Sequence, residues 1–182
     1  IYNIPYPEPS GVTCGSGAPS IMFSDDLESG IGWTGVIGTS FGTWRLPNAN
    51  PGGNSGNTGP NGPHSGTTYA EFEASGAALG NYSIVSPAVD LSSATGAAEL
   101  SFWMYAYGPN MGVLNVGVST SPTGPFVNEY SWIGQYHTAD NQPWANIGVD
   151  ISAYLGQTVY IEFSLAHNGS GVLGDMAIDL VE

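Results

Sequence analysis

Positive charge is almost missing from this chain. Among its 182 residues the only Lys or Arg is Arg45, against 15 acidic residues, so the formal net charge is -14. Such a protein repels a nucleic-acid backbone and an anionic membrane surface. The charge therefore excludes nucleic acid as a partner and favours a secreted or cell-surface protein that stays soluble at high ionic strength.

Cysteine and long apolar runs are also scarce. Cys14 is the single cysteine, so an intrachain disulfide cannot form and the small disulfide-framework proteins are excluded. No apolar run approaches the ~20 residues of a membrane-spanning helix, so we expect no membrane insertion. Stability must then come from a large apolar core.

Turn-forming and strand-forming residues are abundant instead. The chain has 27 Gly and 13 Pro, with 10 Tyr and 5 Trp among its strand formers. This composition is typical of short strands joined by many turns, and it leaves little room for helices. The sequence therefore predicts an all-β protein.

Several segments alternate apolar and polar residues with the two-residue period of a strand. Residues 98–107 (AELSFWMYAY) set Leu100, Phe102 and Met104 on one face and aromatic residues on the other. Residues 68–74, 112–120 and 157–166 alternate in the same way. Roughly ten strands with turns between them predict a β-sandwich of two antiparallel sheets, with a jelly roll as its topology.

The chain divides into an arm and one domain. Residues 1–20 are rich in Pro, Gly and Ser without periodicity, which predicts an extended N-terminal arm or linker, and residues 21–182 form the sandwich domain. Within that domain, residues 47–67 form a Gly-, Asn- and Pro-rich loop. A loop of this length is expected to bind an ion, to be mobile or to carry function.

The order of several motifs resembles a known family. MFSDDLESGIGWTG, TGPNGPHSGTTYAEFEASG, SPAVDLSS, AELSFWMYAYGPNMGVLNVGV, WANIGVDISAYLGQTVYIEFSL and GDMAIDLVE follow one another between residues 21 and 182. Together they are similar to the MAM module of meprins, neuropilins and receptor tyrosine phosphatases. The chain departs from the animal modules because it lacks their paired cysteines and has Leu180 where a second Asp usually stands.

The resemblance implies a jelly-roll fold with a structural cation. It also implies a non-catalytic extracellular recognition or adhesion module. Because the chain lacks the disulfides, it resembles a bacterial relative of the animal modules. The partner would be an extracellular glycan or a protein.

Acidic residues at both ends of the domain suggest a calcium site. A jelly roll brings its first and last strands together, so SDDLESG (residues 24–30) is expected to meet GDMAIDL (residues 174–180). Calcium is the natural bridge, since it accepts six to eight oxygen ligands and almost no cation is available for ion pairs. The alternative is a solvated acidic face. The candidate ligands are Asp26, Glu28, Asp175, Asp179 and Asn61.

An aromatic face suggests a ligand site. Trp103, Tyr105 and Tyr107 alternate on one strand, and aromatic rings beside polar groups such as Glu162 and Asn115 form a platform on which sugars stack. In the alternative, loops of the same chain cover these rings.

Catalysis is the weakest reading. Glu71 and Glu73 share a strand face and with Glu162 could serve as an acid and base pair, although alternating acids usually mark a wet face. We therefore expect no enzyme. Three functions remain: a calcium-stabilised adhesion or recognition module, a carbohydrate-binding module of a polysaccharide-degrading system, and a surface or filament subunit that self-associates through the N-terminal arm.

Overall fold

The computed structural model describes residues 20–30, 32–35, 42–46, 58–168 and 171–182. Residues 1–19 of the predicted arm, including Cys14, and residues 47–57 of the long loop lie outside the described residues. None of the described residues belongs to a helix that is long and apolar enough to cross a membrane.

The described residues form ten strands and one short 3₁₀ turn, at Ser152–Tyr154. The strands are Trp44–Arg45 (β1), Ala70–Phe72 (β2), Gly80–Val85 (β3), Val89–Asp90 (β4), Glu99–Tyr107 (β5), Val113–Ser119 (β6), Val127–Ile133 (β7), Ala145–Asp150 (β8), Thr158–His167 (β9) and Asp175–Asp179 (β10).

The strands pair in two antiparallel sheets. Sheet I has the order β1-β2-β10-β5-β8, and sheet II has the order β3-β9-β6-β7 with β4 also paired to β9. Without the two-residue strands β1 and β4, each sheet has four strands, and the chain crosses between the sheets at nearly every connection. This is the pairing of a jelly roll, so the predicted fold is confirmed.

The core lies between the sheets and is filled by the inward positions of the alternating strands. Phe102 of β5 and Phe163 of β9 are both fully buried, and their rings meet edge to face at 5.0 Å between centroids. Leu100 and Met104 share the inward face of β5, as their alternation predicts. Truncating such a core aromatic costs about 3–5 kcal/mol, so these positions determine the stability of the sandwich.

The end of the chain does not form a sheet edge. β10 lies between β2 and β5, and Met176 faces Phe72 on one side and Ala106 on the other. The expected meeting of the two chain segments is nevertheless present, because Asp25 and Val181 exchange backbone hydrogen bonds of 2.9 and 2.8 Å. β10 is therefore a central strand, and its outward side chains lie beneath the loop that covers sheet I.

One four-residue pattern makes two similar corners that sequence reasoning missed. Residues 89–92 (VDLS) and 149–152 (VDIS) each end a strand, and in each the Asp Oδ1 accepts a 2.9 Å hydrogen bond from the Ser backbone N–H two residues later. Hydrogen bonds from the Ser92 and Ser152 side chains, followed by these backbone bonds, lower the pKa of Asp90 and Asp150. The repeated pattern thus ends two strands. It explains two exposed aspartates by their local backbone role, so no bound ligand is needed to explain them.

Candidate functional site

The outer face of sheet I is covered by residues 58–68, and three carboxylates, of which Asp175 and Asp179 are buried, hold this covering loop. Asp179 of β10 has no exposed surface. Its Oδ2 accepts hydrogen bonds from the backbone N–H of His64 (2.8 Å) and Ser65 (2.9 Å), and its Oδ1 accepts one from Leu180 (2.8 Å). Burial nevertheless raises the pKa of Asp179 to about 6.

Asp175 holds the beginning of the same loop. The Thr58 hydroxyl donates to its Oδ2 at 2.5 Å, and the Ala74 backbone N–H donates to its Oδ1 at 2.9 Å. Burial raises the pKa of Asp175 to about 7, and the nearby charges of Glu73 and Glu71 add to that rise. Its carboxyl group therefore keeps its proton to a higher pH than an ordinary aspartate does.

Glu28 holds the end of the loop. Its carboxylate accepts hydrogen bonds from the Thr67 hydroxyl (2.5 Å) and from the backbone N–H groups of Thr67 (2.7 Å) and Thr68 (3.0 Å). These bonds, led by the one from the hydroxyl, lower the pKa of Glu28. The charge of Glu28 in turn contributes to the raised pKa of Asp179, so these two carboxyl groups are neighbours.

The predicted calcium ligands do not converge as expected. Asp26 is exposed, and Asn61 is exposed with its backbone N–H bonded to the Asp140 carbonyl at 2.8 Å. The described residues contain no group of three His, Cys, Asp or Glu side chains that could hold a metal ion, so Asp26, Glu28 and Asp175 do not form one site. Calcium binding stays a prediction.

The only cation of the chain is buried beside two of the carboxylates. The Arg45 guanidinium donates to Glu71 at 2.8 and 3.0 Å and to Glu73 at 3.1 Å. Both glutamates have no exposed surface. They are therefore part of a buried ion-pair network and not of the wet strand face or the acid and base pair considered above.

The open aromatic platform is not present, because loops cover the rings. The His64 ring stacks on Trp103 at 3.7 Å between centroids, and His137 stacks on Tyr105 at 3.7 Å. Tyr105 has no exposed surface and its hydroxyl donates to the Ala139 carbonyl at 2.5 Å, while Tyr107 is half-buried. Tyr105 is therefore covered by the chain's own loops, whereas Trp103 and Tyr107 are half-buried, so the three rings do not form one open stacking surface.

His137 has a fixed role in this cover. Its Nδ1 accepts a hydrogen bond from the Ala106 backbone N–H at 3.1 Å, so its Nε2 is the nitrogen that donates to the Pro143 carbonyl at 3.0 Å. Burial lowers the pKa of His137, which keeps the ring neutral. The ring thus ties residues 137–143 to β5.

Glu162 lies on the other sheet from the aromatic rings. It occupies β9 and faces outward from sheet II, so the predicted grouping of Glu162 with Trp103 is wrong. It instead lines a hollow of about 320 Å³ in the outer face of sheet II. The lining residues are Asn115, Gly117, Phe126, Asn128, Glu162 and Ser164.

Gly117 makes the floor of this hollow. It pairs with Glu162 on one side and with Asn128 on the other. A Cβ at this position would lie 2.9 Å from the Cβ of Phe126 and 3.6 Å from Oε2 of Glu162. A residue with a side chain would therefore displace Phe126 and fill the space in front of Glu162.

A chain of hydrogen bonds orients the polar side of the hollow. The Asn128 amide donates to the Ser131 oxygen, and the Ser131 hydroxyl donates to Asn115 Oδ1, each at 2.8 Å. Because Asn115 Oδ1 already accepts a bond from Ser131, the residue offers its Nδ2 group to a ligand as a hydrogen-bond donor. The half-buried Ser164 hydroxyl and the Glu162 carboxylate lie on the neighbouring strand.

Together these residues present three kinds of contact to a ligand. Asn115 is a hydrogen-bond donor, Glu162 is an acceptor and Ser164 is both, while Phe126 supplies an aromatic wall. The alternation of residues 112–120 and 157–166 predicts that Asn115 and Glu162 face outward, but it carries no sign that β6 and β9 are neighbours.

Comparison with known proteins shows the fold. No protein-family profile matches the chain. The K1 cleaved adhesin domain of Lys-gingipain from Porphyromonas gingivalis W83 is similar with 17% identity and a TM-score of 0.53, over 87% of this chain and 95% of that one. The K3 adhesin domain of the same protein has 17% identity and a TM-score of 0.52 over the same shares.

An enzyme has a similar fold. A Stig cyclase, Fisc, from Fischerella sp. TAU has 11% identity and a TM-score of 0.50, over 90% of each chain. A shared fold among adhesin domains and a cyclase does not determine function, so function must be argued from the site. The resemblance to the MAM module stays a prediction, and what the comparisons establish is the β-sandwich fold.

Proposed function

We propose that this chain is a non-catalytic extracellular recognition or adhesion module that binds a neutral glycan in the hollow of sheet II. The observation that carries the proposal is the make-up of that hollow, with one aromatic wall, one carboxylate and a set of amide and hydroxyl groups.

The hollow matches the chemistry of a sugar ring. A sugar has hydroxyls that donate and accept hydrogen bonds, and an apolar C–H face that packs on aromatic rings. Glu162 accepts from such hydroxyls, Asn115 donates to them, and Phe126 faces the apolar side of the ring. About 320 Å³ lies at the lower end of the usual size of ligand sites, which is roughly 300–1,000 Å³.

Charge favours a neutral sugar over an acidic one. The net charge is -14, and Arg45, the only Lys or Arg, is engaged by Glu71 and Glu73 on the other sheet. A sulfated or uronic polymer would meet the Glu162 carboxylate without an ion-pair partner in the hollow. A glycan without charge avoids this repulsion.

The hollow favours binding over hydrolysis. Glycoside hydrolysis ordinarily uses two carboxyl groups on either side of the scissile bond, and Glu162 is the single carboxylate among the residues that line the hollow. Glu71 and Glu73 are paired with Arg45 beneath a different surface. A recognition role needs no second acid.

The setting of the module supports an extracellular role. The acidic surface suits high ionic strength, and the similar K1 and K3 domains are adhesin domains of a bacterial protein. Calcium, if it binds, would act on the acidic residues under the covering loop of sheet I. It is not needed at the hollow.

A glycan array followed by calorimetric titration tests the proposal. The wild type is expected to bind at least one neutral glycan, and Glu162→Gln is expected to weaken binding roughly tenfold or more, because hydrogen bonds to a charged group contribute about 1.5–3 kcal/mol. Glu99→Gln, which changes an exposed strand glutamate on sheet I, is the matched control and should bind like the wild type. Equal binding by Glu162→Gln and wild type would refute the site.

A further inference from the structure

Polar side chains continue beyond the hollow in a row that crosses sheet II. Ser83 of β3 pairs with Ser164 of β9, Ser164 pairs with Asn115 of β6, and Asn115 pairs with Ser131 of β7. Ser131 is exposed, and the other three are half-buried. One line of hydrogen-bonding groups therefore runs across all four strands.

The hollow occupies only part of this row. Its lining residues come from β9, β6 and β7 with the segment just before β7, whereas Ser83 lies one strand further on. Strands lie about 4.8 Å apart, so the row extends over roughly 14 Å from β3 to β7. A single sugar ring in the hollow would leave the β3 side of the row without a contact.

A second row of residues crosses the same four strands beside the first, and its members range from apolar to charged. Val85 pairs with Glu162, Glu162 with Gly117, and Gly117 with Asn128. Only Glu162 in these two rows is charged, and the remaining members are apolar or neutral. The surface is thus suited to a ligand that carries hydroxyls along its whole length and no charge.

The geometry points to a linear neutral polysaccharide that lies across the strands of sheet II and is bound through its internal units. This inference rests on the proposed glycan-binding function and adds the polymeric nature and direction of the ligand. Two rings lie in the hollow across β7, β6 and β9, against Phe126, Glu162 and Ser164, and the next rings toward β3 contact Ser83. The chain ends of the polymer lie outside the site.

Titration with oligosaccharides of increasing length tests this inference. The probes are di-, tetra- and hexasaccharides of glucose, mannose, galactose and xylose, with a hexasaccharide whose reducing end has been converted to an alditol. Affinity for the bound series is expected to rise roughly fivefold for each added hydrogen bond. The reduced hexasaccharide should bind as well as the intact one.

Ser83→Ala separates this inference from the proposed function. It should weaken hexasaccharide binding roughly fivefold and leave disaccharide binding unchanged, because only the longer ligand reaches β3. Ser101→Ala, a half-buried strand serine on sheet I, is the matched control and should change neither.

Two outcomes would overturn the inference in different ways. Equal affinity for di- and hexasaccharides, or no effect of Ser83→Ala on the hexasaccharide, would leave a glycan site that takes a short or terminal unit. If no probe of any length binds and the glycan array is also negative, the proposed function fails and this inference with it.

Discussion

Replacing Asp175 by asparagine removes a carboxyl group whose ionisation opposes folding. Asp175 is fully buried in the central strand of sheet I, between the Thr58 hydroxyl and the Ala74 N–H. An asparagine keeps both partners, because its Oδ1 accepts from Ala74 and its Nδ2 donates to the Thr58 oxygen. The substitution therefore isolates the charge from the hydrogen bonds.

The size and sign of the effect follow from the pKa. Burial raises the pKa of Asp175 from its ordinary 3.8 to about 7, so the folded protein binds this proton more tightly than the unfolded chain. The resulting stability is fully present below pH 3.8 and is lost as the pH rises through 7. At about 1.36 kcal/mol per pKa unit, the loss is at most about 4 kcal/mol.

Urea unfolding followed by tryptophan fluorescence between about pH 4 and pH 8 measures this loss. The free energy of unfolding of the wild type minus that of Asp175→Asn is expected to fall by up to about 4 kcal/mol over this range. The histidines with lowered pKa values contribute an opposite slope, but they are present in both proteins and cancel.

Asp90→Asn is the control for this prediction. Hydrogen bonds from Ser92 lower the pKa of Asp90 below 3.8, so its contribution to stability is lost only as the pH falls below that value. The difference between the wild type and this variant should therefore stay flat over the tested range. A flat difference for Asp175→Asn as well would refute the raised pKa and the burial that causes it.

Three further perturbations test the covering loops and the acids. Removing calcium with a chelator near pH 8 is expected to lower Tm by several degrees, because a bound cation would offset the repulsion between Glu28 and Asp179. An unchanged Tm in scanning fluorimetry would contradict calcium binding. His137→Ala should lower the free energy of unfolding by about 1–3 kcal/mol in urea titrations, because the buried Ala106 N–H loses its acceptor. A smaller loss would mean that a water molecule replaces the ring as the acceptor. Trp103→Ala should lower the free energy of unfolding by at least about 1 kcal/mol through the lost stacking with His64, while glycan affinity measured by calorimetry stays unchanged. Lost glycan affinity in a folded variant would instead support a ligand site on the aromatic residues of sheet I.

The sequence alone determines which side chains face the core. The two-residue period of a strand is a local property, so the alternation in residues 98–107 predicts the inward positions of Leu100, Phe102 and Met104 without knowledge of any partner strand. The same holds for the outward direction of Asn115 and Glu162. Composition in turn predicts that nucleic acid is not a partner, and this prediction needs no knowledge of the fold because the net charge of -14 does not depend on how the chain folds.

Only the tertiary structure decides what covers the outward faces and which outward residues are neighbours. Tyr105 and Asp179 both point away from the core, yet both are fully buried, because loops distant in sequence close over sheet I. The His64 N–H that binds Asp179 lies 115 residues earlier in the chain, and no local pattern encodes such a contact. Strand order likewise places Glu162 in sheet II, away from Trp103, since periodicity gives the face of each strand and pairing between distant strands gives its neighbours.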